Sequence, residues 1–233
     1  MWPKHVIMVT PEHYDISYAI NPHMKTKDGT LNSINKDLAQ RQWQQLKNTF
    51  ENLNMHVSTY EGLPQLPDMV FCANPLFPFW KNNRVHYISS NMHSAFRKPE
   101  SAALAQWVSL NNCEVFQLPA TVTFEGMGDA LWNYDTQEIY GGYGFRTNRE
   151  AYDYIEGITG APVTRLKLIN ENFYHLDTAL AIIDKTTAIF VPQAFSEESL
   201  EKLKMKFPNL IACDPVEAKE SLAANACSID GKN

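Results

Sequence analysis

The stretch "DALWNYDTQEIYGGY", residues 129–143, shows the pattern from which the fold of this chain can be predicted. Two short runs of strand type, Ala130–Tyr134 and Glu138–Tyr143, stand on either side of the polar residues Asp135-Thr136-Gln137. Apolar runs of this length separated by a short polar segment are typical of a β-hairpin. The elements predicted after the hairpin are a helix and a further strand, at Arg149–Gly157 and Val163–Ile169. The stretch therefore opens a unit of hairpin, helix and strand.

The same unit recurs about every 50 residues, which indicates an array of like modules. The preceding module is predicted from two strands, a helix and a strand, at Met69–Ala73, Arg84–Ser89, Glu100–Leu110 and Cys113–Leu118. The following module is predicted in the same order at Thr178–Ile183, Thr187–Val191, Ser196–Phe207 and Leu210–Cys213. A strand, a helix and a strand are predicted before them, at Lys4–Thr10, Asn35–Leu53 and Met55–Tyr60. A polar residue is expected to open a comparable strand in each module, namely Asn74, Asp129, Asp177 and Asn225.

The modules are expected to pack around a common centre, because one such unit cannot bury both faces of its sheet. A further strand is predicted at Ala226–Asp230, and Asp230-Gly231 is a strong hairpin signal. No return strand follows this signal. The last module is therefore expected to be incomplete and the sequence to be a fragment, the alternative being a natural C-terminus that frays.

Composition excludes several classes of protein. The 233 residues carry a formal charge of −6, which gives no broad attraction for nucleic acid or an anionic membrane surface. No signal peptide or transmembrane stretch is recognisable. Cys72, Cys113, Cys213 and Cys227 are scattered without metal-ligand spacing, so no zinc site is expected and the thiols are interpreted as reduced, in a cytoplasmic protein.

Four motifs carry side chains suited to chemistry at the junctions of strands and loops. They are "YAINPHM" with Asn21, "PDMVFCAN" with Asp68 and Asn74, "FEGMGDALW" with Glu125 and Asp129, and "FYHLDTAL" with His175 and Asp177. In a strand, a histidine and a carboxylate two residues apart point to the same face. Carboxylates around a histidine suit a planar cation such as guanidinium and favour the protonated imidazole. Taken alone, a pair such as His175 and Asp177 is more often a structural hydrogen bond, but the three companion motifs favour catalysis.

At these motifs the sequence resembles the guanidine-modifying (pentein) superfamily. The resemblance is carried in collinear order by "PEHYDISYAINPHM", "PDMVFCAN", "LPATVTFEGMGDAL", "GGYGFRTN" and "NENFYHLDTALA", and it is closest to the arginine dihydrolase type. It implies an α/β fold, a five-bladed propeller with an axial active site, formed here by one truncated domain, residues 1–233. It also implies a cysteine nucleophile and no metal or organic cofactor.

The resemblance assigns roles to individual residues. His175 would act as general acid and then base, while Glu125 and Asp177 would grip the guanidinium and orient His175. Asn74 stands where deiminases and dimethylarginine hydrolases carry a carboxylate, and its amide matches the dihydrolase pattern. Asp129 is interpreted as a turn or strand-entry residue that makes hydrogen bonds.

Four more residues are expected to contact the substrate: Asn21, Asp68, Arg97 and Arg146. The two arginines resemble those that meet the substrate α-carboxylate in the family. Two alternatives remain, since Arg97 could be an ordinary surface residue and Asp68 could simply initiate a turn.

The nucleophile is where the sequence departs from the family. Neither Cys227, in "AANACSID", nor Cys72 matches the Gly-rich nucleophile motif. The expected activity of the complete protein is hydrolysis of arginine or a close derivative to ornithine, CO2 and ammonia, with this chain an inactive fragment. The alternatives are an amidinotransferase, a dimethylarginine dimethylaminohydrolase, or a non-catalytic module that binds guanidino compounds. The expected partner is a small guanidino substrate, and a homo-oligomer is left open.

Overall fold

A computed structural model describes residues 2–232 of the chain. The fold is α/β, with four separate sheets among the described residues. The chain divides into two compact units, a smaller one of residues 3–72 and 94–100 and a larger one that holds the rest. The single-domain organisation stays a prediction. No helix between residues 2 and 232 is long and apolar enough to cross a membrane.

The smaller unit contains a parallel strand pair and a helix. Strand β1 (His5–Val9) pairs with β2 (His56–Tyr60), and helix α1 (Lys36–Asn52) connects them. The side chain of Asn35 caps α1 by accepting a hydrogen bond from the Leu38 backbone N–H at 2.9 Å. The three elements predicted in this part of the sequence are confirmed.

The larger unit repeats one three-stranded sheet three times. The strands are β3 (Leu76–Lys81), β4 (Arg84–Ser89), β5 (Glu114–Gln117), β6 (Ala130–Asn133), β7 (Glu138–Tyr143), β8 (Val163–Lys167), β9 (Leu180–Ile182), β10 (Thr187–Phe190) and β11 (Asn209–Ala212). In each sheet the middle strand is antiparallel to the strand before it and parallel to the strand after it. The hairpin-helix-strand module predicted from the sequence is therefore confirmed.

Helices make the crossovers that parallel pairing requires. The α-helices after α1 are α2 (Lys98–Leu110), α3 (Gly126–Asp129), α4 (Ala151–Thr159), α5 (Glu197–Lys206) and α6 (Pro215–Ser221). Helices α2, α4 and α5 each lead from a middle strand to an outer strand. Ser196 caps α5, since its hydroxyl accepts from the Ser199 backbone N–H.

The strand predicted at Met69–Ala73 is wrong. Residues Pro67–Val70 form a 3-10 helix, and the antiparallel partner of β4 is β3. Pro67 opens the turn, since its ring sets the backbone angle and it lacks an N–H. The missed signal is the pair Asn82-Asn83, whose positive φ angles of 51° and 58° make the two-residue hairpin turn between β3 and β4.

The strand predicted at Ala226–Asp230 is also wrong, because these residues form neither a helix nor a strand. Asn225 opens no strand and instead donates from its side-chain amide to the backbone carbonyl of Asp177, at 2.9 Å. Of the other three polar positions, only Asp129 lies directly before its strand.

Two apolar clusters in the larger unit hold its sheets together. One includes Phe77, Phe124, Ile139, Tyr152 and Ile155, and the other includes Leu166, Leu176, Leu180, Leu203 and Phe207. Tyr152 also fixes the backbone, since its hydroxyl oxygen lies within hydrogen-bond distance of two carbonyl oxygens, that of Asp129 at 2.8 Å and that of Gly142 at 2.5 Å. The apolar core thus sets the position of Asp129 at the start of β6.

Candidate active site

His175 is the centre of a buried polar cluster in the larger unit. It is 5% exposed and precedes the 3-10 helix Leu176–Thr178. Its Nδ1 lies 3.1 Å from Asp129 Oδ1, and its Nε2 lies 3.1 Å from Glu125 Oε2 and 3.3 Å from Asn74 Nδ2. The structure therefore brings three of the four sequence motifs to one imidazole ring.

Helix α3 presents two carboxylates to that ring. Glu125 precedes this single turn and Asp129 ends it, so the two side chains are four residues apart and lie on one helix face. Glycines permit the close approach of Asn74. A Cβ on Gly126, where φ is 51°, would lie 2.4 Å from the Asn74 carbonyl oxygen, and one on Gly128 would lie 2.2 Å from Asn74 Nδ2.

Glu125 is fully buried and held from several sides. Its Oε1 accepts from the backbone N–H of His93 at 2.9 Å and lies 3.7 Å from Arg146 Nη1. The Arg146 guanidinium in turn stacks over Tyr174, 4.7 Å from the ring centroid. Burial with a hydrogen-bond donor and a cation nearby keeps this carboxylate in one orientation.

Asp129 has a larger part in the cluster than the sequence indicated. Its Oδ1 accepts from the backbone N–H of Leu176 at 3.1 Å, and its Oδ2 accepts from the Thr147 hydroxyl at 2.7 Å. The interpretation as a hydrogen-bonding residue at a strand entry is correct but incomplete, because Asp129 also forms the ion pair with His175 Nδ1. The spacing of four between Glu125 and Asp129 is the signal that could have revealed it.

The electrostatics of the cluster favour a protonated histidine. Burial alone would lower the pKa of His175, but the carboxylates of Asp129 and Glu125 outweigh it and raise that pKa to about 10. His175 is therefore an imidazolium at neutral pH, which is the form that can donate a proton.

Asp177 occupies a different position from the one predicted. Residues His175–Thr178 are not part of a strand, which begins only at Leu180, so the argument from alternating strand faces is wrong here. Burial raises the pKa of the Asp177 carboxyl to about 7, against the lowering effect of the His175 charge. This carboxyl changes its charge near neutral pH.

Asn21, Asp68 and Arg97 belong to the smaller unit. The Asn21 side chain accepts from the His23 backbone N–H at 3.0 Å, and Asp68 is buried within the 3-10 helix Pro67–Val70. Arg97 is buried rather than on the surface, and its Nη2 lies 2.8 Å from Glu100 Oε2. The substrate contacts expected of these residues stay predictions.

None of the four cysteines has the environment of an activated thiolate. Desolvation raises the pKa of each thiol, whereas a nucleophilic cysteine needs a lowered pKa; the four are Cys72, Cys113, Cys213 and Cys227. Within the described part of the chain, no group of three or more His, Cys, Asp or Glu side chains is arranged to hold a metal ion.

Comparison with known proteins finds a matching family model and several relatives. The family model described as N,N dimethylarginine dimethylhydrolase, eukaryotic, matches residues 11–228. The chain is 37% identical over 215 residues to the N(G),N(G)-dimethylarginine dimethylaminohydrolase of Mycobacterium tuberculosis, covering 91% of this chain and 66% of the relative. It is 32% identical over 203 residues to the bifunctional arginine dihydrolase/ornithine cyclodeaminase ArgZ of Synechocystis, covering 87% of this chain and 28% of the relative.

The fold of the chain is also similar to that of a solved structure. The solved N-terminal domain of ArgZ bound to product, an arginine dihydrolase from cyanobacteria, matches with a TM-score of 0.90 and 30% identity. The match covers 98% of this chain and 81% of that chain. The resemblance drawn from the sequence motifs is confirmed at the level of the superfamily.

Proposed function

Because the chain belongs to the N,N dimethylarginine dimethylhydrolase family, we propose that it serves the hydrolysis of the guanidino group of arginine or a close derivative. The observation that carries the proposal is the His175 imidazole, whose Nδ1 lies 3.1 Å from an Asp129 carboxylate oxygen and whose Nε2 lies 3.1 Å from a Glu125 carboxylate oxygen. A fixed acid beside buried carboxylates is the equipment that cleavage of a guanidinium C–N bond requires.

The carboxylates supply the affinity for the cation. Glu125 and Asp177 are proposed to accept the N–H groups of the planar guanidinium, whose donors match carboxylate oxygens in pairs. Arg146 Nη1 stands 3.7 Å from Glu125 Oε1. An incoming guanidinium would share Glu125 with this residue, so Arg146 limits how much negative charge the substrate meets.

The proposed reaction uses a cysteine thiolate, as the resemblance to the superfamily implies. The thiolate attacks the guanidinium carbon, and His175 gives its Nε2 proton to the departing amine. Water then attacks the same carbon and loses a proton to His175, and the C–S bond breaks to release the product.

The pKa values and sequence context of the four cysteine thiols indicate whether one of them supplies this thiolate. Each has a raised pKa, and none lies in the expected motif. We therefore propose that residues 1–233 bind the substrate but do not turn it over, and that the nucleophile belongs to another segment of the complete protein. A non-catalytic module that binds guanidino compounds is the alternative that the same thiols favour.

Among the possible reactions we place arginine dihydrolysis first, with ornithine, CO2 and ammonia as products. It is supported by Asn74, whose amide nitrogen lies 3.3 Å from His175 Nε2. A neutral amide here lowers the negative charge around a bound urea-like product and allows a second cycle. Hydrolysis of dimethylarginine is the second candidate, favoured by the family model and the mycobacterial relative. The third candidate, amidino transfer, has no supporting observation here.

We also propose that the repeated sheets are modules of a five-bladed propeller in a cytoplasmic protein without a cofactor. The threefold repetition of one sheet supports the propeller. The parallel pair β1–β2 corresponds to the middle and outer strands of each repeated sheet, which makes it part of a further module.

Calorimetric titration of the 233-residue chain tests the binding half of the proposal. L-arginine and dimethylarginine are compared with citrulline, which replaces the guanidinium by a neutral ureido group. We expect arginine to bind more tightly than citrulline, and Glu125→Gln to reduce the preference at least tenfold. The exposed Glu198 provides the matched control, Glu198→Gln, which should change nothing. Equal binding of arginine and citrulline would contradict the proposal.

A further inference from the structure

A threonine hydroxyl bonds to both residues whose carboxylates hold His175, to the side chain of Asp129 and to the backbone of Glu125. Thr147 follows strand β7 and is 4% exposed. Its Oγ1 donates to Asp129 Oδ2 at 2.7 Å and accepts from the backbone N–H of Glu125 at 3.1 Å. The residue before helix α3 and the last residue of that helix are therefore tied to one side chain from a different part of the chain.

The direction of these hydrogen bonds restricts what Thr147 can do. A hydroxyl carries a single hydrogen, and here that hydrogen points to Asp129, so Thr147 has no proton to offer to a substrate. One of its two acceptor lone pairs takes the Glu125 N–H. The residue is thus placed to orient other groups and not to react.

The orientation of Asp129 depends on this contact. With Oδ2 bound to Thr147, Oδ1 is directed at both the Leu176 N–H and His175 Nδ1, each at 3.1 Å. Asp129 is 1% exposed, so no bulk water can replace the hydroxyl. Removing it would leave Oδ2 and the Glu125 N–H buried without this partner, and buried polar groups reorganise or change protonation to avoid that state.

We propose that Thr147 is a positioning residue, whose hydroxyl holds Asp129 against His175 Nδ1 so that the ring presents its Nε2 proton beside Glu125. The role of Thr147 in orienting the ring stands on the geometry of the cluster. Its consequence for guanidinium recognition rests on the proposed function.

The test is an NMR titration of the His175 imidazole in the 233-residue chain, with its resonances assigned by their loss in His175→Asn. Thr147→Val keeps the side-chain volume but removes the hydroxyl, and Thr147→Ser keeps the hydroxyl. Thr164→Val is the matched control, because the Thr164 hydroxyl also donates to a carboxylate, that of Glu138 at 2.5 Å, away from the cluster.

We expect Thr147→Val to lower the pKa of His175 by about one unit, since Asp129 without this hydrogen bond turns away from Nδ1 or takes up a proton, and its charge then stabilises the imidazolium less. Thr147→Ser and Thr164→Val should leave that pKa unchanged. If Thr147→Val does not fold, Thr147→Ala removes the same hydroxyl and carries the same expectation. A His175 pKa that is equal in all four proteins would overturn the proposal.

Binding of L-arginine to the same proteins separates this inference from the proposed function. Wild-type chain that fails to bind arginine contradicts the proposed function but leaves the titration result standing. Tight binding by the wild type, together with an unchanged His175 pKa in Thr147→Val, contradicts the role of Thr147 alone. Weaker binding in Thr147→Val, restored in Thr147→Ser, supports both.

Discussion

Replacing Asp129 by asparagine should lower the pKa of His175 by about 2 units, a range typical of losing one adjacent carboxylate. The ring has its pKa raised from 6.5 to about 10, which corresponds to about 5 kcal/mol of preference for the imidazolium. Two carboxylates, each 3.1 Å from a ring nitrogen, oppose the effect of burial. Asp129→Asn removes one charge while keeping the shape of the side chain, and Glu125 remains.

The same variant should change how stability depends on pH. The folded-state pKa of His175 lies above its unfolded value. The interaction of the imidazolium with Asp129 and Glu125 therefore stabilises the fold fully below pH 6.5, and this contribution is lost as pH rises through about 10. The free energy of unfolding of the wild type should therefore fall between pH 7 and pH 10. In Asp129→Asn this fall should be smaller and occur at lower pH.

Two assays check these expectations, NMR titration of His175 and urea denaturation at pH 7, 8.5 and 10. Asp153→Asn is the control, because it removes an exposed carboxylate paired with Arg165. A wild-type His175 that titrates near pH 6.5, or a His175 pKa that is unchanged in Asp129→Asn, would refute the proposed effect of Asp129 on His175.

Three further predictions follow from the site. His175→Asn in the complete protein should reduce turnover by roughly 10²–10⁴-fold, as expected for loss of a general acid; near-normal kcat at a comparable Tm would mean that the residue is structural. Gly128→Ala should weaken arginine binding, because its Cβ would lie 2.2 Å from Asn74 Nδ2, whereas Gly157→Ala in helix α4, which meets nothing within 4 Å, should leave binding unchanged and raise stability by about 0.5–1 kcal/mol. Arginine supplied to the complete protein should yield ornithine and two ammonia per arginine; one ammonia with accumulating citrulline would contradict the dihydrolase assignment.

Local signals explain which parts of the fold were predictable. The hairpin around Asp135 and the helix capped by Ser196 depend on neighbouring residues, so their patterns are visible in the sequence. The run Met69–Ala73 failed because a short apolar stretch fits a buried turn as well as a buried strand. The strand that pairs with β4 lies further along the chain, at Leu76–Lys81.

The site was predictable only in its separate parts. Glu125 and His175 stand in recognisable motifs, but the contact between Asp129 and His175 joins residues that are distant in sequence. Thr147 is invisible for the same reason, since a threonine in a loop has no periodicity and its two partners are defined by packing. Sequence motifs thus indicate the candidate reacting groups, whereas the structure shows which side chains contact them.

A structure of the chain with L-arginine bound would show directly whether His175 and the carboxylates form a guanidinium site. We expect the guanidinium to lie between the carboxylates of Glu125 and Asp177, with one of its nitrogens at hydrogen-bond distance, about 3 Å, from His175 Nε2. A guanidinium bound away from Glu125, or one whose nitrogens do not reach His175, would contradict the proposed function.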